Sequence, residues 1–150
     1  KVLPFEKWFY AGGASDMRGW RYRSLGPGSY RDTTGNNFEK MGDMILEMNL
    51  EYRFPVYSFV KGALFADFGN VWLLNYSDNY PGGKFEFNDL LSEIAIDAGV
   101  GIRFDFSFFI FRVDGAAPVR NPAYPDNRRW RAGSLQLKDI IWNFGIGYPF

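Results

Sequence analysis

Residues Asp43 to Phe54 read DMILEMNLEYRF, and the alternation of this stretch decides the fold. Met44, Leu46, Met48, Leu50, Tyr52 and Phe54 fall on one face, and Asp43, Ile45, Glu47, Asn49, Glu51 and Arg53 on the other. Successive side chains of an extended chain point to opposite sides, so a period of 2 held this long predicts an amphipathic strand. The rule recurs along the chain. From Phe59 to Trp72, Val60, Leu64, Ala66, Phe68 and Trp72 oppose Lys61, Ala63, Asp67 and Gly69. From Ile94 to Phe106, Ile94, Ile96, Ala98, Val100, Ile102, Phe104 and Phe106 oppose Asp97, Gly99, Gly101, Arg103 and Asp105. Phe109 to Ala117 and Ile140 to Phe150 follow, the last placing Ile140, Trp142, Phe144, Ile146, Tyr148 and Phe150 together. The reading is all-β, with five strands.

Their length distinguishes them from strands of soluble domains, which average about 5 to 6 residues. A strand of about 12 residues reaches roughly 40 Å, and a tilt near 45° projects that onto about 28 Å, the hydrocarbon thickness of a bilayer. The connections alternate as well. Pro55 to Ser58 and the residues around Ser107 are tight turns, whereas Gly12 to Gly42, Leu73 to Glu93 and Pro118 to Asp139 are long and rich in Gly, Pro, Asn, Asp and Tyr. Short turns on one side and long loops on the other predict an outer-membrane β-barrel. Phe54, Tyr57, Trp72, Phe106, Trp142 and Phe150, near strand ends, are then expected in the interfacial girdle. Five strands fall short of the minimum of about eight that closes such a barrel, and an open edge in lipid leaves backbone groups unpaired. Further strands are therefore expected to complete it. The competing reading is a soluble β-rich binding module, a sandwich or lipocalin-like barrel with its apolar face inward.

Composition narrows the chemistry. The 150 residues hold 17 Lys+Arg against 17 Asp+Glu, no His and no Cys, with 16 Phe, 9 Tyr and 5 Trp. Balanced charge gives no reason to expect nucleic acid, whose phosphates require clustered cations. Without His or Cys there is no Ser-His-Asp or Cys-His nucleophile, usual zinc site or disulfide framework. AGVGIRF and NFGIG lack a dinucleotide-binding glycine spacing, and no Ser sits in a nucleophile elbow. We expect no catalytic site, metal or cofactor. No stretch approaches the 18 or so apolar residues of a membrane helix, and Lys1 to Tyr10 has no signal-peptide core. Glu47, Glu51, Arg53, Arg103, Asp105, Arg112 and Asp114 take the polar parity, where they form a mixed-charge ladder or line a channel. Arg128, Arg129 and Arg131 flank Trp130 in the last long loop, exposed to solvent or to anionic lipopolysaccharide.

Three segments carry a family resemblance: Tyr10 to Trp20, YAGGASDMRGW; Phe65 to Trp72, FADFGNVW; and the closing NFGIGYPF. In order and spacing across the whole chain they resemble the BamA/TamA outer-membrane assembly family, the bacterial surface antigen family. The resemblance implies the C-terminal five strands of a 16-stranded barrel, about the middle of the range for such barrels. Residues 1–42 would then be a long extracellular loop folded inward, and residues 43–150 the strands. It implies a loop tip of Gly12, Gly13, Ser15, Arg18, Gly19 and Trp20, with Arg18 pairing to Asp67 on the inner wall. Asp67 already has the inward parity, and an Arg fork satisfies a carboxylate bidentately. It also implies that the terminal strand, with Phe144, Gly145, Gly147, Tyr148 and Phe150, supplies an assembly signal and one side of a seam that opens sideways. Gly145 and Gly147 would weaken that strand or make room for the loop.

The implied function is insertion, assembly or translocation of outer-membrane proteins, without nucleotide, through seam opening and strand templating. The implied partners are outer-membrane lipid and lipopolysaccharide, client β-barrel proteins, and assembly lipoproteins or other subunits. A related barrel for secretion or transport, or one anchoring a fused passenger enzyme, is the alternative. The chain departs from the family in three ways: a Trp at the loop tip, DFSFFIF in place of a Pro-containing turn, and no POTRA domain within these 150 residues.

Overall fold

The computed structural model describes residues 7–33, 35 and 40–150. Positions 1–6, 34 and 36–39 of the expected inward loop lie outside the described residues, as does most of the Lys1 to Tyr10 stretch. Five strands form one antiparallel sheet in chain order: β1 (Met44–Tyr57), β2 (Val60–Trp72), β3 (Ala95–Asp105), β4 (Ile110–Arg120) and β5 (Ile141–Ile146). The sheet is open, with β1 and β5 at its edges.

Register fixes the two faces. Tyr52 pairs with Leu64, Leu64 with Val100, Val100 with Gly115, and Gly115 with Trp142. This row and its neighbours carry Leu46, Met48, Leu50, Tyr52, Leu64, Val100, Ile102, Trp142, Phe144 and Ile146, all exposed. Such a continuous apolar face on a polypeptide wall suits hydrocarbon rather than water. On the opposite face Arg53, Ala63, Gly101, Asp114 and Asn143 form one row, and Lys61, Arg103, Arg112 and Gly145 the next. Within the strands the five segments keep the parity expected from their alternation, in the last of them as far as Ile146.

Boundaries depart from expectation where proline or glycine intervenes. β1 runs on through Pro55, with a register irregularity between Pro55 and Tyr57, and the turn is reduced to Ser58 and Phe59. On an edge strand the missing N–H of a proline breaks no ladder that the sheet needs. β4 likewise passes Ala117 and reaches Arg120: Ile96 faces Arg120 while Asp97 faces Pro118, so one extra residue bulges out and accommodates the proline. The DFSFFIF segment keeps register, Phe104 facing Phe111 across a turn with Ser107 at φ 72°.

Two expectations are overturned. The last strand stops at Ile146 rather than Phe150, because Gly147 takes φ 86° and turns the chain off the sheet. The Tyr148 ring then lies 4.0 Å from the Arg53 guanidinium and the Phe150 ring 5.4 Å from that of Arg18, so both approach inward-facing arginines instead of the lipid girdle. Trp72 also leaves the girdle. It is fully buried, edge-on to Phe85, with its indole N–H donating to Glu93 at 2.7 Å. The loop after β2 folds back over it, and the buried indole N–H finds the acceptor it requires in Glu93.

Candidate functional site

The segment Ala11 to Leu25 closes on itself before it meets the sheet. The Leu25 N–H donates to the Ala11 carbonyl at 3.1 Å, Arg23 to Gly12 at 3.2 Å, Gly13 to Met17 at 3.2 Å and Trp20 to Met17 at 3.1 Å. Gly12 permits the turn: φ is 109°, and a Cβ there would lie 2.3 Å from the Arg21 carbonyl oxygen. Ala11, Met17, Trp20 and Leu25 then pack with Val71 and Ala95, and Ile45 lies against them. This small apolar core lies between the loop and the inner face of the sheet, so burying it seats the loop on the wall.

Seating delivers Arg18 to Asp67. Arg18 Nε donates to Asp67 Oδ2 at 2.8 Å and Nη2 to Oδ1 at 2.8 Å, a two-pronged fork, while the backbone N–H of Arg18 reaches Oδ2 at 3.2 Å. Nη1 donates to Glu51 Oε2 at 2.7 Å, and the guanidinium lies 3.4 Å above the Phe65 ring. Neither Arg18 nor Asp67 has solvent exposure. Charges this deep gain from one another only when their remaining hydrogen-bonding capacity is filled, and here every strand contributes. From β1, Asn49 Nδ2 donates to the Asp16 carbonyl at 2.6 Å and to Asp67 Oδ1 at 3.0 Å. From β3, Asp97 Oδ2 accepts the Gly19 N–H at 2.7 Å. From β4, Arg112 Nη2 donates to the Ala14 carbonyl at 2.8 Å and lies 3.5 Å from Ser15 Oγ. From β5, Asn143 Nδ2 donates to the Arg18 carbonyl at 2.9 Å.

Glycines set the approach distances. A Cβ on Gly19 would lie 2.3 Å from Asp97 Cβ, so the tip reaches β3 only because that position lacks a side chain. A Cβ on Gly145 would meet Arg112 Nε at 2.7 Å, so this glycine makes room for the arginine that grips the loop. Below the tip the charges continue as a ladder. Arg103 bridges Glu51, at 2.9 Å, and Asp114; Arg112 pairs with Asp114 at 2.7 Å and Arg53 with Glu51 at 2.6 Å. At the loop end of the sheet, Asn70 Nδ2 donates to the carbonyls of Gly28, at 2.8 Å, and Glu93, at 2.7 Å. Burial raises the Glu93 carboxyl above its ordinary range, opposed by hydrogen bonds from Trp72 and Ser29. Burial likewise raises Asp16, against the backbone N–H donors around it.

The expected tip residues thus meet on the inner wall: Gly12 and Gly13 in the turn, Trp20 in the apolar core, Arg18 and Gly19 on the carboxylates, and Ser15 exposed beside Arg112. Phe144, expected on the apolar face of the terminal strand, points outward from β5. The roles of Asn49, Asp97, Arg112 and Asn143 at the tip were missed. Their inward parity was legible, but parity does not reveal which loop atom each one meets. Arg129 is engaged by its own surroundings, donating to the carbonyls of Tyr124, at 3.1 Å, and Ser92, at 2.9 Å, and pairing with Asp126 at 2.8 Å. Among the described residues no group of three or more His, Cys, Asp or Glu is arranged to hold a metal ion. The geometry is that of a lock between a loop and a wall.

The Omp85 superfamily domain matches residues 1–150. Over 85 residues the chain is 35% identical to the outer membrane protein assembly factor BamA of Neisseria meningitidis serogroup B, a match that takes in 53% of this chain and 10% of that protein. The matched stretch thus spans about a tenth of its relative's length. Proteins of this family are integral to the outer membrane, in keeping with a sheet that turns one apolar face outward and one charged face inward. An all-β sheet of long antiparallel strands, closed over by an inward loop and matched along its full length, belongs to the Omp85 superfamily.

Proposed function

We propose that this chain is the C-terminal part of an outer-membrane barrel that inserts or translocates client β-barrel proteins, and that β5 forms one side of its opening seam. The reading rests above all on the Arg18 to Asp67 lock, which holds a long loop against the inner wall with hydrogen bonds from all five strands. A loop so held gives the wall a fixed shape. β5, by contrast, pairs with β4 over a short stretch, from Phe111 to Ala116. In lipid an open edge is costly until another strand satisfies it. When the barrel's first strand is displaced, a client strand can add to that edge by β-augmentation. Work of this kind draws its free energy from the client's own pairing and burial and requires no nucleotide. The partners on this reading are outer-membrane lipid, lipopolysaccharide, client barrels and the assembly lipoproteins or subunits that accompany them.

The test is reconstitution of the full-length protein in liposomes with an unfolded client barrel, following client folding by its heat-modifiable migration. Arg18→Ala is expected to lower the folding rate while the carrier itself remains folded. An unchanged rate refutes the lock as part of assembly.

A further inference from the structure

The terminal strand touches the lock through one side chain. Asn143 is the only residue of β5 whose side chain donates a hydrogen bond to the loop tip among the described residues, and it does so to the carbonyl of Arg18 itself, at 2.9 Å. It is buried and sits beside Asp114, its register partner on β4. Beyond Gly147 the tail brings the Phe150 ring within 5.4 Å of the same Arg18, on its guanidinium end. Arg18 is thus held at both ends by the last eight residues of the chain: its backbone by Asn143 and its cation by an aromatic face.

We propose that Asn143, assisted by Phe150, couples the seating of the loop to the order of the terminal strand, so that releasing the loop loosens β5 and loosening β5 releases the loop. Asn143 acts as a positioning residue. β5 is the shortest of the described strands, with six residues against β4's eleven, so an added tether forms a large share of its attachment to the wall on the β4 side. Coupling of this kind is reciprocal by thermodynamic necessity. The identification of β5 as a seam strand rests on the function proposed above, but the coupling itself belongs to the fold and is measurable in the absence of a client.

These 150 residues have no cysteine, so Met17→Cys, with any cysteine elsewhere in the full-length protein replaced by Ser, places a single thiol at a fully buried position of the loop, where its labelling by a maleimide reports loop release. In the full-length protein, folded in detergent micelles and checked by heat-modifiable migration, Asn143→Val is expected to speed labelling roughly two- to tenfold, the effect of one hydrogen bond of ordinary net strength. Leu64→Val, facing outward on β2 and away from β5, is expected to leave the rate unchanged. In the reverse direction, Arg18→Ala is expected to raise amide hydrogen exchange across Ile141–Ile146 while β2 keeps its protection. The proposal is overturned if Asn143→Val leaves labelling unchanged, if Leu64→Val accelerates it equally, or if β5 exchange does not respond to Arg18→Ala. Any of these results leaves the proposed assembly role intact, and a failed liposome assay leaves the coupling intact.

Discussion

Replacing Arg18 with Met keeps an unbranched stem over the Phe65 ring but removes the charge and all the guanidinium donors. The consequences fall unequally on the two carboxylates. Glu51 keeps Arg103 at 2.9 Å and Arg53 at 2.6 Å. Asp67 loses both prongs of the fork and keeps Asn49 Nδ2 at 3.0 Å and the backbone N–H at position 18, at 3.2 Å. Orphaning one member of a buried pair costs about 3–5 kcal/mol. At roughly 1.4 kcal/mol per tenfold, the seated loop should lose between about a hundredfold and a few thousandfold of its population advantage. Tryptic cleavage after Arg21 or Arg23 in the folded barrel reads that change, because cleavage of a transiently opened segment follows the open population when reclosing is fast. Asp67→Asn should cost less, since Arg18 retains Glu51 at 2.7 Å. The double variant should fall short of the summed effects by about 1–3 kcal/mol, because it no longer leaves Asp67 as an uncompensated buried charge. Unchanged cleavage in Arg18→Met, or strict additivity in the double variant, refutes the reasoning.

Two further outcomes follow from the packing. Gly19→Ala forces a methyl against Asp97 Cβ and should weaken loop seating by about 1–3 kcal/mol, read by the same cleavage, whereas Gly133→Ala, with open space around it, should not register. Glu93→Gln should remove a pH dependence of the loop that covers Trp72. The folded carboxyl is raised above its ordinary 4.5 by burial, so its contribution is complete below pH 4.5 and is lost as pH rises through the raised value. Amide exchange across residues 73–93 should therefore quicken with pH, beyond its intrinsic rise, in the parent and not in Glu93→Gln.

Much of this molecule is legible in its amino-acid sequence. Alternation assigned inward and outward faces along all five strands, from Met44 and Ile45 to Trp142 and Asn143, and the family resemblance placed Arg18 beside Asp67. The failures have separate causes. Tyr148 and Phe150 carry the outward parity of Trp142 and Phe144, but Gly147 breaks the extended backbone on which parity depends. Trp72 also carries it, yet the fold of the following loop buries it against Glu93 and Phe85. Pro55 and Pro118 read as strand ends because proline lacks a ladder donor, although a strand edge or a bulge can absorb that loss.

Face and length are local properties, written in the period of a dozen consecutive side chains and in the thickness of a bilayer, and so the chain carries them openly. Partnership is not local. Arg18 meets Asp67 across 49 residues and Asn143 across 125, and Asp97, Arg112 and Asn49 find the loop only once register, bulge and turn have set their heights on the wall. A buried charge accepts whatever donor geometry brings within about 3 Å, and only the folded sheet supplies that geometry.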